Sequence, residues 1–179
     1  MSDPAARDTL SRGQPYKVCA VRFERRLPGD TARVWAHLTE PGRLAAWYGE
    51  DGVIESREGG AVRLSGGHIR GVVTQWRPGR RLAYTWNVFG PDDAESGYAE
   101  SPYPESYLTF ELEPDGDHVA LTLTHLPVLE RFEAQNQMGW HTFLDMLGAA
   151  LDGREPEPRR AYMQRNAALY GVDLEKLVS

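Results

Sequence analysis

Two hydrophobic periods take turns along this chain. In "VCAVRFERRLPGD", beginning at Val18, the apolar residues Cys19, Val21, Phe23 and Leu27 share one parity, which predicts a half-buried first strand. "GDTARVWAHLTEPGRLAAWYG" then breaks the alternation. Asp30 is placed to cap a short helix carrying Val34, Trp35 and Leu38, and Pro41-Gly42 separates it from a second short helix ending near Trp47. Strand patterns follow at 53–58, 61–64, 68–76, 81–88 and 106–113, punctuated by Glu58-Gly59-Gly60, Gly66-Gly67 and Pro78-Gly79. A last strand, "HVALTLTHL", comes after Asp115-Gly116-Asp117. Connections this short favour an antiparallel meander, because parallel neighbours need long crossovers. From about Glu130 to Leu151 the spacing becomes three and four, with Trp140, Phe143, Leu144, Leu147 and Leu151 on one helical face and Glu130, Glu133 and Asp145 off it. Gly153 and Pro156 end this helix, and a shorter helix and a tail follow.

The expected fold is therefore α+β: a curved antiparallel sheet of six to seven strands wrapped around a long C-terminal helix, with two short helices after strand 1. The expected organisation is an N-terminal arm over residues 1–17, the main domain over 18–152 and a C-terminal extension over 153–179. The apolar face of such a sheet must be covered, and a single helix about 10 Å across cannot fill it. The remaining space is either plugged by large side chains or lined as a cavity. Alternation puts Leu108, Phe110 and Leu112 inward on one strand and Val119, Leu121 and Leu123 inward on the next; Leu82, Tyr84 and Trp86 share a face on a third. The next inward position after Leu123 is His125. A polar group on an apolar face is costly without a partner. That partner is a backbone carbonyl, water in a real cavity, or a bound ligand, and the sequence leaves the three open.

Composition narrows the field. At 179 residues, 41% hydrophobic and 26% charged, the chain suits one globular domain. A net charge of −6 argues against nucleic acid and anionic membrane surfaces as partners. No apolar run is long enough to span a bilayer, and the first residues lack a signal-type apolar segment, so a cytoplasmic protein without membrane insertion is expected. The one cysteine, Cys19, excludes an internal disulfide and reads as a small core residue. No dinucleotide fingerprint, Walker loop, nucleophile elbow or Cys-x-x-Cys occurs, so no nucleotide, flavin or metal cofactor is called for.

Four segments, "VWAHLTEPGRLAAWYG" (34–49), "GVVTQWRPGRRLAYTW" (71–86), "LTFELEPDGDHVALTLTH" (108–125) and "GWHTFLDMLGAAL" (139–151), together resemble the START-like helix-grip superfamily. They look closest to its bacterial branch related to the C-terminal domain of the heat-shock-protein ATPase activator. That superfamily includes lipid carriers, polyketide cyclases and co-chaperones, so the resemblance implies a fold and a cavity rather than one activity. It is also compatible with a homodimer. Residues 1–17 leave no room for the extra N-terminal domain of the eukaryotic co-chaperone, which argues against a chaperone partner.

The resulting expectation is non-catalytic binding of a small hydrophobic or amphipathic molecule between sheet and helix. His125, Tyr84, Trp86 and His68 would supply polar tips, Trp47 and Tyr48 would stand near the mouth, and Phe110, Leu123, Trp140 and Phe143 would form the walls. A cyclase, dehydratase or hydrolase is the first alternative; it requires His125 to meet a carboxylate such as Glu55 or Asp145. A stress-linked protein-interaction module is the second, using the acidic stretch 90–106 as its surface. His141 and Asp145, four apart, read as a solvated helix flank rather than the start of a metal site. Gly139 is expected to bring the long helix close to another backbone.

Overall fold

The computed structural model of the protein describes residues 15–48, 52–89 and 103–177. Seven antiparallel strands form one sheet in the order β1-β7-β6-β5-β4-β3-β2. Its strands are β1 (Val18–Pro28), β2 (Val53–Ile54), β3 (Ala61–Leu64), β4 (Ile69–Arg77), β5 (Arg81–Val88), β6 (Ser106–Asp115) and β7 (His118–Leu129). Helices α1 (Thr31–Thr39) and α2 (Pro41–Tyr48) follow β1, and the long helix α3 (Glu133–Leu151) crosses the inner face before α4 (Arg159–Tyr170). The local reasons are those visible in the chain. The Asp30 carboxylate accepts from the Arg33 amide at 2.8 Å and so caps α1, and Pro41 opens α2, where its missing N–H costs nothing.

Alternation sets the faces. Leu108, Phe110 and Leu112 on β6 and Val119, Leu121 and Leu123 on β7 are all buried, and Phe110 stands opposite Leu123 in the register. With Leu82, Leu144 and Leu147 they form the centre of the core. The apolar area removed from water here, at about 25 cal/mol per Å², is the main force holding helix to sheet.

Three expectations need correction. The strand expected over 53–58 stops at Ile54, and the chain doubles back through a tight turn: Arg57 N–H donates to the Glu55 carbonyl at 2.7 Å and Glu55 N–H to Ala61 at 2.9 Å. Gly60 permits this, since a Cβ there would lie 2.7 Å from Glu55 Cβ and 2.8 Å from the Arg57 carbonyl. Gly139, by contrast, makes no close approach, because a Cβ on it would meet nothing within 4 Å. Finally, the His141–Asp145 flank of α3 is covered. Asn166 of α4 donates to Thr142 and to Asp145, both at 3.2 Å, and His141 shares a hydrogen bond with the Tyr170 hydroxyl at 2.9 Å. Helix α3 is therefore buried on more than its sheet-facing side, with Met138, Thr142, Met146 and Ala149 inside as well as Trp140, Leu144, Leu147 and Leu151.

Candidate functional site

The inner face of the sheet can be read in rows. Tyr84, Leu108, His125 and Val21 lie side by side across β5, β6, β7 and β1. His125 is thus one polar member in a row of apolar ones, with 3% of its surface exposed. The adjoining row holds Trp86 paired with Ser106. Ser106 is the diagonal neighbour of His125, a separation across which side chains can still meet. From the opposite side α3 presents Phe132 (just before its first turn), Asn136 and Trp140, each four residues after the last and so on one flank of the helix.

These residues make a hydrogen-bond chain with a fixed direction. The Trp140 indole Nε1–H donates to His125 Nδ1 at 3.1 Å. An indole nitrogen only donates, so Nδ1 carries no proton and the neutral ring holds its hydrogen on Nε2. That hydrogen points at Ser106 Oγ, 2.9 Å away. Ser106 in turn donates to the Trp86 carbonyl at 3.0 Å. Two indoles enclose the imidazole, with ring centroids 5.6 Å (Trp86) and 6.0 Å (Trp140) from it. Burial holds the His125 pKa down at about 4, although the Asn136 side chain beside it favours the charged form. The imidazole in the apolar row is therefore fully partnered and uncharged at neutral pH.

This tautomer limits the chemistry. In a serine hydrolase the histidine Nε2 must accept the serine proton while Nδ1–H is held by a carboxylate. Here the polarity is reversed, and Nε2 has no lone pair to offer Ser106. Glu55 and Asp145 stand elsewhere: Glu55 is bonded to Arg57 and the Ala61 amide, Asp145 to Asn166. Among the described residues no three His, Cys, Asp or Glu side chains converge as metal ligands.

Beside this chain lies a cavity of about 280 Å³, lined by Trp86, Val88, Tyr103, Pro104, Ser106, His125, Pro127, Val128, Leu129, Phe132, Gln135 and Asn136. No Asp, Glu, Lys or Arg is among them. Tyr103 meets Phe132 edge-on, with centroids 5.3 Å apart, and the Arg131 guanidinium lies 4.9 Å from the Phe132 ring centre. A larger groove of about 530 Å³ on the outer face of the sheet is lined by charged side chains, among them the ion-paired Arg22, Glu24 and Glu111.

Of the ten residues expected around a cavity, the structure brings His125 and Trp86 to its wall, with Trp140 directly behind His125. Tyr84, Phe110 and Leu123 are packed in the core. Burial, with Tyr48 nearby, pushes the Tyr84 phenol well above its usual value of 10. Trp47, Tyr48 and Phe143 form an aromatic cluster that does not line the cavity but reaches it through Trp140, whose ring lies 5.9 Å from that of Phe143. Tyr48 stacks on Phe143 at 4.6 Å, Trp47 donates to the His37 carbonyl at 2.7 Å, and Arg159 of α4 covers Phe143 and donates to the Tyr48 carbonyl. His68 lies in the turn before β4 and donates through Nδ1 to the Phe89 carbonyl at 3.2 Å. The acidic stretch falls mostly outside the described residues (90–102); of its remainder, Tyr103 and Pro104 line the cavity. Ser106, Phe132, Gln135 and Asn136 were not anticipated. The signal for three of them was present: Ser106 continues the parity of Leu108 and Phe110, while Asn136 and Phe132 continue the Trp140 flank backwards by fours.

Comparison with known proteins now adds to this geometry. The family model described as "Activator of Hsp90 ATPase homolog 1-like protein" matches residues 30–152. The chain belongs to this family. No curated protein matches it. Among solved structures, a Bordetella parapertussis protein encoded by gene BPP1335 is 26% identical, with 91% of this chain and 92% of that one covered and a TM-score of 0.65. CalU16 from Micromonospora echinospora is 24% identical over 88% of this chain and 97% of its own, again at TM-score 0.65. The Aha1 dimer from Colwellia psychrerythraea is 21% identical over 74% and 96%, at TM-score 0.58. The latter two likenesses show a shared fold. As a member of the ATPase-activator-homologue family, the chain carries an extension the family model does not reach: α4 lies beyond residue 152.

Proposed function

We propose that this family member binds a small hydrophobic or amphipathic molecule in the cavity between β5–β7 and the start of α3, without transforming it. The observation that carries the proposal is the makeup of the wall: aromatic and aliphatic side chains with a few polar atoms from Ser106, Asn136 and Gln135, and no formal charge among the described residues. Trp86 and His125 contact the ligand, while Trp140 and Tyr84 hold them in place. Burying about 200 Å² of ligand apolar surface contributes roughly 5 kcal/mol before ordering costs. The fixed Nε2–H tautomer of His125 speaks against the general-base role that a cyclase or hydrolase reading requires. The chaperone-linked reading draws on the family description alone. No helix among the described residues is long and apolar enough to cross a membrane. Native mass spectrometry of the purified protein, followed by denaturing extraction, is the test. A co-purifying small molecule, or a thermal shift with apolar aromatics that is lost in Trp86→Ala, supports the reading. A protein that carries nothing and shifts with no member of such a panel refutes it. The same spectra give the oligomeric state and so test the homodimer expectation.

A further inference from the structure

Resting on that reading, we propose that the ligand is an uncharged aromatic hydroxyl compound, one to two fused rings in size, whose O–H donates to Ser106 Oγ. Two features of the wall carry this: its lack of charge and the count of its hydrogen-bonding capacity.

The twelve lining residues include no acid and no base apart from His125, whose ring is neutral in the tautomer Trp140 imposes. Among the described residues, a carboxylate or phosphate brought inside would lose its water and find no cation, and an amine would find no carboxylate. Either arrangement is strongly disfavoured. Arg131 is not among the lining residues; its guanidinium lies over the Phe132 and Tyr103 rings.

A serine hydroxyl has one hydrogen and two acceptor positions. Among the described residues, the hydrogen of Ser106 goes to the Trp86 carbonyl and one acceptor position takes the His125 Nε2–H. The second acceptor position remains, so Ser106 asks its ligand for a donor. Asn136 already gives one amide hydrogen to the Phe132 carbonyl at 3.0 Å, leaving its other hydrogen for an acceptor. A hydroxyl on a ring is both things at once. The ring belongs to the proposal because Trp86, Phe132 and Tyr103 supply flat faces and edges, against which offset or edge-on stacking is favourable. At about 280 Å³ the space sits at the low end for small-molecule sites.

Three probes of one size separate the possibilities at pH 7: 2-naphthol (neutral, donor), 2-methoxynaphthalene (neutral, no donor) and naphthalene-2-carboxylate (charged). Affinities come from calorimetry, and the Trp86 indole N–H resonance reports occupancy of this cavity. The naphthol is expected to bind about 3–10-fold tighter than the methyl ether, the worth of one hydrogen bond, and more than about tenfold tighter than the carboxylate. In Ser106→Ala the naphthol preference over the ether collapses to within about twofold; should that variant not fold, the wild-type series decides alone. If the carboxylate or the ether matches the naphthol while Trp86 shifts, this inference is overturned and the binding reading stands. If none of the three moves the Trp86 resonance, both fall together.

Discussion

Acidifying the medium tests the internal site without any ligand. His125 has a pKa near 4 in the folded chain, against about 6.5 for an unhindered histidine. Between those values the unfolded chain binds a proton that the folded chain refuses, so stability rises with pH across the window and is lost as pH falls from about 6.5 to about 4. The full difference of about 2.5 pKa units corresponds to about 3 kcal/mol, of which about 2 kcal/mol is gone by pH 5. The physical cause is burial of the ring between two indoles. A proton on Nδ1 would also face the Trp140 N–H, donor against donor. Burial lowers the pKa of His141 too, opposed by Asp145 and aided by Arg25, so the wild-type curve alone does not isolate His125. The assay is therefore urea unfolding of wild type and His125→Gln at matched pH from 7.5 to 4.5. Glutamine does not titrate and keeps both an acceptor and a donor. The wild-type advantage over the variant should shrink by about 2 kcal/mol between pH 7 and pH 5. A difference that stays flat to within about 0.5 kcal/mol, or a ring titration of His125 centred near 6.5, would refute the tautomer lock.

Other consequences are cheaper to check. Trp140→Phe removes the donor that sets the tautomer; it should cost about 2–3 kcal/mol, and nitrogen NMR of the ring should show the single Nε2–H form giving way to a mixture. Gly139→Ala should raise stability by about 0.5–1 kcal/mol in thermal unfolding, because the position is helical and a methyl there meets nothing within 4 Å. Gly71→Ala should do the reverse, costing about 3 kcal/mol or abolishing expression, since its Cβ would lie 1.8 Å from the Thr85 carbonyl oxygen. Asn166→Leu, which leaves Thr142 and Asp145 without their amide donor, should cost about 1–2 kcal/mol and increase hydrogen exchange in α4 before the rest of the fold.

Periodicity made the fold legible because it records which side of each element is wet. Strand β7 alternates cleanly, and its register with β6 follows from parity and the short turn at Gly116. What periodicity does not contain is distance across elements. His125 was visible as an oddity, but the residue answering it, Trp140, lies 15 positions away on a helix whose rotation about its axis depends on everything packed around it. The same limit explains Tyr48 and Phe143, which are aromatic and inward yet pack behind Trp140 rather than lining the cavity. Two features had a nearer signal. Ser106 stands one step of two before Leu108 on a strand the pattern already assigns. The α4 face formed by Tyr162, Asn166 and Tyr170 recurs every four residues, but tyrosine and asparagine do not score as core. Those two, with their partners on α3, are what conceal the His141–Asp145 flank.

The direction of the Trp140–His125–Ser106 chain bears on how related proteins of this fold come to differ. Serine and imidazole already stand 2.9 Å apart, the spacing a nucleophile and its base require. The indole behind them holds the pair in the order that cannot transfer a proton. An acceptor in place of that indole, a carboxylate reaching Nδ1 from position 140, would turn the ring's hydrogen round and leave Nε2 open to Ser106. The change that would reverse the chain therefore lies on the helix, at position 140, rather than on Ser106 or His125.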